Sequence, residues 1–133
     1  MRPDIDIWGL QLAKVVSARS TCMRLQVGCV LLNKRGHIIA TGYNGVASGQ
    51  PHCNKQTCAD LETCQALHAE WNALLQCRNV YEIDTCYITN APCFNCTKLL
   101  LNTSCQRIIF HEGPLQPKSQ NIWSLAGREW ILC

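Results

Sequence analysis

Two short stretches of this chain hold residue types that can do chemistry together: His68-Ala69-Glu70 and Pro92-Cys93-Phe94-Asn95-Cys96. Cys93 and Cys96 stand three apart at the start of a predicted helix, which puts both sulfurs on one face. A helix N-terminus favours thiolates, the form that binds a metal. Pro92 suits such a start, because its missing N–H would have no partner there. His68 supplies a third ligand from a neighbouring helix. Two thiolates and an imidazole fit zinc, with the fourth tetrahedral position left to water. Zinc brings the pKa of such a water close to neutrality and so makes a nucleophile available. Glu70, two residues past the ligand, is placed to move protons rather than to bind metal. A lone Cys-x-x-Cys is as readily a buried pair. The ordered combination with His-x-Glu favours the metal.

The chain has 133 residues, enough for one domain spanning 1–133, and 47% of them are hydrophobic. A mean hydropathy of -0.04 excludes a disordered chain. The formal charge of +3 is too small to predict a nucleic-acid partner. No apolar run approaches a membrane span. Eleven cysteines are many, and an odd number cannot all pair internally. The charged start Met1-Arg2-Pro3-Asp4-Ile5-Asp6 does not read as a signal peptide. The expected compartment is therefore the reducing cytoplasm, where clustered cysteines bind metal or react more often than they form disulfides. Cys22, Cys53, Cys58 and Cys64 form a candidate second, closed zinc site, with His52 an alternative ligand. Cys29 and Cys86 read as core strand residues.

The elements that must position these groups follow from periodicity. A helix is expected from about residue 4 to 20, with Trp8, Leu12, Val15 and Val16 inward and Gln11, Lys14 and Ser17 outward. Val27 to Leu32 and His37 to Tyr43 read as a hairpin around Lys34-Arg35-Gly36. A helix from Leu67 to about Arg78 carries Trp71, Leu74 and Leu75 inward. Strands follow at Asp84 to Thr89, Arg107 to Phe110 and Glu129 to Leu132. Helices lie between them at Cys93 to Leu101, with Leu99, Leu100 and Leu101 facing in, and at Ser119 to Ala126. This order predicts an α/β fold, a mixed sheet with helices on its faces. The stretch from Asn44 to Leu67 shows no strand, only a possible short helix from Ala59, and a loop that long needs an anchor.

Around these motifs the chain resembles the zinc-dependent cytidine deaminase superfamily, whose His-x-Glu…Pro-Cys-x-x-Cys signature it carries. The likeness is greatest to the deoxycytidylate (dCMP) deaminase branch. It rests on residues 20–28, Ser-Thr-Cys-Met-Arg-Leu-Gln-Val-Gly, on Gly42-Tyr43-Asn44-Gly45, on Pro51-His52-Cys53, on His68 to Ala73 and on Thr89 to Cys96. It implies a cytidine-deaminase-like fold, a five-stranded mixed sheet sandwiched by helices. It implies hydrolysis of dCMP to dUMP in a homo-oligomer, a hexamer, activated by dCTP with Mg²⁺ and inhibited by dTTP. Among site residues it implies a sugar contact from Asn44, for which the plain alternative is an Asn-Gly turn. Gly42, Tyr43, Asn44 and Gly45 match the effector-nucleotide motif. Arg24 is the phosphate candidate, ahead of Arg19 and Lys55, because its fork of donors suits phosphate. Ala69 and the backbone carbonyl of Thr89 complete the substrate contacts. The chain departs from its family where His111-Glu112-Gly113-Pro114-Leu115 replaces aromatics, and at Gln76.

Three other readings share part of this pattern. A tRNA-adenosine editor would present a basic face, and no Lys/Arg cluster is present. A deaminase of free cytidine or cytosine has little use for Gly42-Tyr43-Asn44-Gly45 and the long loop. A non-catalytic zinc module has no need of Glu70.

Overall fold

The structure is a computed structural model that describes residues 1–54 and 64–133. Cys58, Lys55 and the helix expected from Ala59 fall outside the described residues. The element order is α1 (Ile5–Ser17), β1 (Gly28–Leu32), β2 (Ile38–Tyr43), β3 (Gly45–Val46), β4 (Ala66–Leu67), α2 (Ala69–Gln76), a 3₁₀ turn (Val80–Glu82), β5 (Thr85–Asn90), α3 (Phe94–Leu101), β6 (Arg107–Glu112), α4 (Pro117–Leu125) and β7 (Glu129–Leu132). Five strands form one sheet in the order β2-β1-β5-β6-β7. The first pairings are antiparallel and the last two, β5 with β6 and β6 with β7, are parallel. This is the mixed five-stranded sheet that the resemblance implies.

Strand alternation assigns the two faces. Cys29, Leu31, Cys86, Ile88, Ile108 and Phe110 point to the layer of α2, α3 and α4, where Ala69, Ala73, Leu100 and Trp123 meet them. Val30, Leu32, Tyr87 and Ile109 point the other way, against α1. Cys29 and Cys86 are fully buried strand residues, as expected, with their sulfurs 3.6 Å apart.

The helices do not turn their largest residues to the sheet. In α1 the buried stripe is Gly9, Ala13 and Ser17, while Val15 is 70% exposed. In α2 it is Ala69, Glu70 and Ala73, while Leu75 is 76% exposed. Leu99 of α3 is exposed as well. The inward assignments of Val15, Leu75 and Leu99 are thus corrected, as is the outward one of Ser17, whose hydroxyl donates to the Lys14 carbonyl at 2.6 Å. The reason is close approach. A Cβ on Gly28 would strike the Ala13 carbonyl and come within 2.6 Å of the Ser17 nitrogen. Only small residues fit where backbone meets backbone.

A second correction concerns the long connection, where Gly45–Val46 pairs antiparallel with Ala66–Leu67. Two-residue strands are too short to show a period. They bring the two ends of the connection together beside the start of α2, whose first residue is Ala69 and whose N-cap is His68.

Two charged groups tie the far end of the sheet. Arg128 donates to the Cys105, Leu101, Leu100 and Thr103 carbonyls, which close the C-terminal turn of α3. Arg107 holds Asp6 of α1 in a two-pronged pair, with Nη2 2.9 Å from Oδ2, and Tyr87 donates to the same carboxylate at 2.6 Å. Burial alone would raise the Asp6 pKa, but Arg107 and Tyr87 outweigh it and hold it below the ordinary 3.8. A carboxylate held below its unfolded value adds stability above that value and loses it as pH falls through the folded one. The stability gap between wild type and Asp6→Asn is expected to be constant near neutrality and to shrink as pH drops below about 4. Melting curves of both proteins across pH check this, and a gap independent of pH would refute it.

Candidate active site

The amino end of β1, the carboxyl end of β5 and the starts of α2 and α3 meet at one cleft of about 500 Å³. His68 and Cys93 occupy equivalent places on its wall. Each is the N-cap of its helix, in extended backbone conformation, and neither makes a side-chain capping bond. Cys96 follows one turn into α3 and is buried. The Nδ1 of His68 lies 3.1 Å from the Cys96 sulfur and 3.5 Å from that of Cys93. The three donor atoms all lie within 4.8 Å of one another, the only such metal-competent group among the described residues.

The donor set fits zinc. Tetrahedral bonds of about 2.3 Å to sulfur and 2.0 Å to nitrogen would place N and S about 3.5 Å apart, close to the separations seen. The electrostatics agree. The hydrogen bond from Cys96, followed by that from His68, pulls the Cys93 thiol down to about 4. Cys93 is therefore a thiolate at neutral pH. The same pairing, together with burial, drives the Cys96 thiol upward, so without a cation the two sulfurs share one proton. A divalent cation removes that conflict by favouring both thiolates.

Glu70, only 4% exposed, lines the cleft from the first turn of α2. Burial pushes its pKa up, against hydrogen bonds from the helix backbone and Cys96. A carboxyl whose proton affinity is raised by burial is suited to taking a proton and giving it back. Trp71 stacks on the His68 ring at 4.7 Å and 11°, fixing its orientation. The sequence reading placed Trp71 in the core and missed this role, although its position three residues after His68 carries the signal.

The remaining site residues fall into three groups. Arg24, Asn44 and Ala69 line the same cleft, and so do Cys22 and Cys64. Asn44 also has structural work, since its Oδ1 accepts from the Val27 N–H at 2.8 Å and its Nδ2 donates to the Leu25 carbonyl at 2.7 Å. Cys53 is buried, and Cys58 lies outside the described residues, so the four-cysteine set is not seen assembled. Thr89 points to the α1 layer, where its Oγ1 accepts from the Gly28 N–H at 3.2 Å. Its β5 neighbours Ile88 and Asn90 line the cleft instead, together with Pro114, from the segment read as departing from the family, and Gln116, which the sequence reading did not single out. Of the glycine-flanked motif, Tyr43 is exposed, whereas Gly42 and Gly45 are buried. A Cβ on Gly42 would run into Ala73 N and Ala69 O and stand 2.9 Å from Ala73 Cα, so this glycine seats α2 on the sheet.

A fold of this topology with a His/Cys/Cys group and a buried glutamate on one cleft wall defines a deaminase class. The family model described as the cytidine and deoxycytidylate deaminase zinc-binding region matches residues 4–112, and the chain belongs to that family. Among its relatives, the deoxycytidylate deaminase of Saccharomyces cerevisiae is 35% identical over 123 residues, 85% of this chain and 39% of the yeast protein. That of Mycobacterium phage D29 is 34% identical over 125 residues, 82% of this chain and 95% of the phage protein. The chain thus spans well under half of the yeast relative and almost all of the phage one. Among solved structures, dCMP deaminase from the cyanophage S-TIM5 in complex with dCMP and dUMP superposes with a TM-score of 0.81 at 26% identity, over 99% of both chains. Among the described residues, no helix is long and apolar enough to cross a membrane.

Proposed function

We propose that this chain is a zinc-dependent hydrolase that converts dCMP and water to dUMP and ammonia. The observation that carries the reading is the buried Glu70 carboxyl, two residues beyond a His/Cys/Cys donor group on one cleft wall. The cyanophage relative, captured with dCMP and dUMP, supports the substrate. His68, Cys93 and Cys96 would hold zinc, which when bound supplies a Lewis acid that activates water. Glu70 takes a proton from the attacking water as the C4–O bond forms. It delivers that proton to ring N3, then passes the second to the amino group as the C4–N bond breaks. The water's two protons end on N3 of the uracil ring and on ammonia, and Glu70 is regenerated. Ala69 and the backbone of Thr89 flank the base, Asn44 meets the sugar and Arg24 the phosphate.

The wider reading is a cytoplasmic homohexamer that supplies dUMP for thymidylate synthesis. It is activated by dCTP with Mg²⁺ and inhibited by dTTP through Gly42, Tyr43, Asn44 and Gly45, of which Tyr43 offers the exposed surface. The test is ammonia release from dCMP, dCTP, cytidine and deoxycytidine, each with and without dCTP·Mg²⁺ or dTTP. Turnover confined to dCMP, with effector-dependent curves, is expected. Turnover of cytidine alone would overturn the substrate assignment. Identical hyperbolic dCMP curves in all conditions would remove the regulation.

Cys22, Cys53, Cys58 and Cys64, with His52 as the alternative ligand, form a second zinc site that anchors the connection between β3 and β4. Elemental analysis is expected to give two zinc ions per chain. Cys22→Ser is expected to lower the melting temperature more than it lowers kcat, since a metal bound only by the native state stabilises it. One zinc per chain, with Cys22→Ser as stable as wild type, would refute the second site.

A further inference from the structure

We infer that Gln116 is a substrate-binding residue, its side-chain amide holding the sugar–phosphate part of the nucleotide in the cleft that also carries the metal group. This rests on the dCMP reading above.

Gln116 is the single non-glycine residue with positive φ among the described residues, at φ 56° and ψ 62°. That left-handed conformation disfavours a long side chain, and it directly precedes Pro117, where the proline ring favours extended backbone instead. Gln116 is the N-cap of α4, yet its side chain makes no capping hydrogen bond. Its carbonyl accepts the Gln120 N–H at 3.0 Å to open α4, but the strained residue's side chain has no such task, which points to a role outside the fold.

The side chain is half-buried and lines the same cleft as His68 and Glu70. The segment that carries it is keyed to β5. Asn90 pairs with Glu112 across the ladder, and the Ala91 N–H donates to the Glu112 carbonyl at 3.3 Å. Gly113, at φ 98°, lies so close to Asn90 that a Cβ there would stand 2.8 Å from Nδ2. Position 116 is therefore set relative to the strand that leads into the metal-binding helix. A cytosine ring at the buried Glu70 leaves the sugar and phosphate for the more exposed lining, to which Arg24 and the half-buried Gln116 belong. A neutral amide offers a donor to phosphate or sugar oxygens and an acceptor to the 3′-hydroxyl.

The test compares wild type with Gln116→Gly and Gln116→Asn. Glycine removes the conformational cost at this φ, so the melting temperature is expected to hold or rise. With the amide lost, KM for dCMP is expected to rise about tenfold, with kcat falling less, and binding of dUMP by calorimetry to weaken equally. Asparagine, which tolerates the same backbone, is expected to fall between the two. A Gln116→Gly enzyme with wild-type KM and dUMP affinity would overturn the inference alone. A wild-type protein that neither binds nor deaminates dCMP would overturn the functional reading and this inference with it.

Discussion

Glu70→Gln is expected to keep zinc at His68, Cys93 and Cys96 and to lose at least about 10²–10⁴-fold in the rate of dCMP deamination. The substitution is nearly isosteric, so the buried site should accept it. Glutamine keeps the shape and a hydrogen-bonding oxygen but can no longer take up a proton. The carboxyl is not in the donor group, so metal content should not change. It is buried in a place where its proton affinity is raised, so no bulk solvent can substitute for it. Zinc analysis together with initial rates separates the two effects. A zinc-loaded variant with wild-type rates would refute the proton-transfer role, and a variant that loses zinc would show that Glu70 shapes the metal site.

The other large effect is expected from one methyl group. Gly42→Ala introduces a carbon into the space of Ala69 O and Ala73 N, backbone atoms of α2 that cannot rotate away. Overpacking a core costs typically about 1–3 kcal/mol, and contact with rigid backbone belongs at the upper end. The melting temperature should drop by many degrees, since 1 kcal/mol is worth roughly 3–6 °C in a chain of this size. Activity should fall too, because α2 begins beside His68 and carries Glu70 in its first turn. Gly49→Ala is the control, since it makes the same replacement at an exposed glycine whose new Cβ would meet nothing within 4 Å. Any loss there reflects only the positive φ of that position. Equal melting temperatures for Gly42→Ala and wild type would mean that α2 is not seated as described.

The metal group was legible because its chemistry restricts residue types tightly. Few arrangements other than a zinc site call for a histidine, a glutamate two residues on, and cysteines three apart after a proline. The sheet was legible because apolar strands such as Gly28–Leu32 are bounded by turns. The helix faces were not, and the cause is physical. Reading by large apolar residues assumes that leucines and valines mark the inside. Here α1 and α2 approach the sheet through Gly9, Ala13, Ser17, Ala69 and Ala73, and that closeness turns Val15 and Leu75 toward the outside. The signal was present as small residues at four-residue spacing, facing Gly28 and Gly42. The β3–β4 pair was hidden for a different reason, being two residues long on each side and separated by a span without local pattern. Gln116 was invisible because a left-handed φ before proline is a property of the folded chain, with no mark in the residue type.

Two cleft residues, His68 and Cys93, sit where helices usually recruit a serine, threonine or aspartate to satisfy their first N–H groups. Here the side chains at those posts turn instead toward each other and toward Cys96. Both helix starts have therefore given up their own fastening in favour of a shared one. The consequence concerns order of events during biogenesis. Until a cation arrives, the first turns of α2 and α3 have no side-chain fastening, and Glu70 lies within one of them. Loading with metal would then act as the last step of maturation, tightening both ends at once and locking the proton carrier into place.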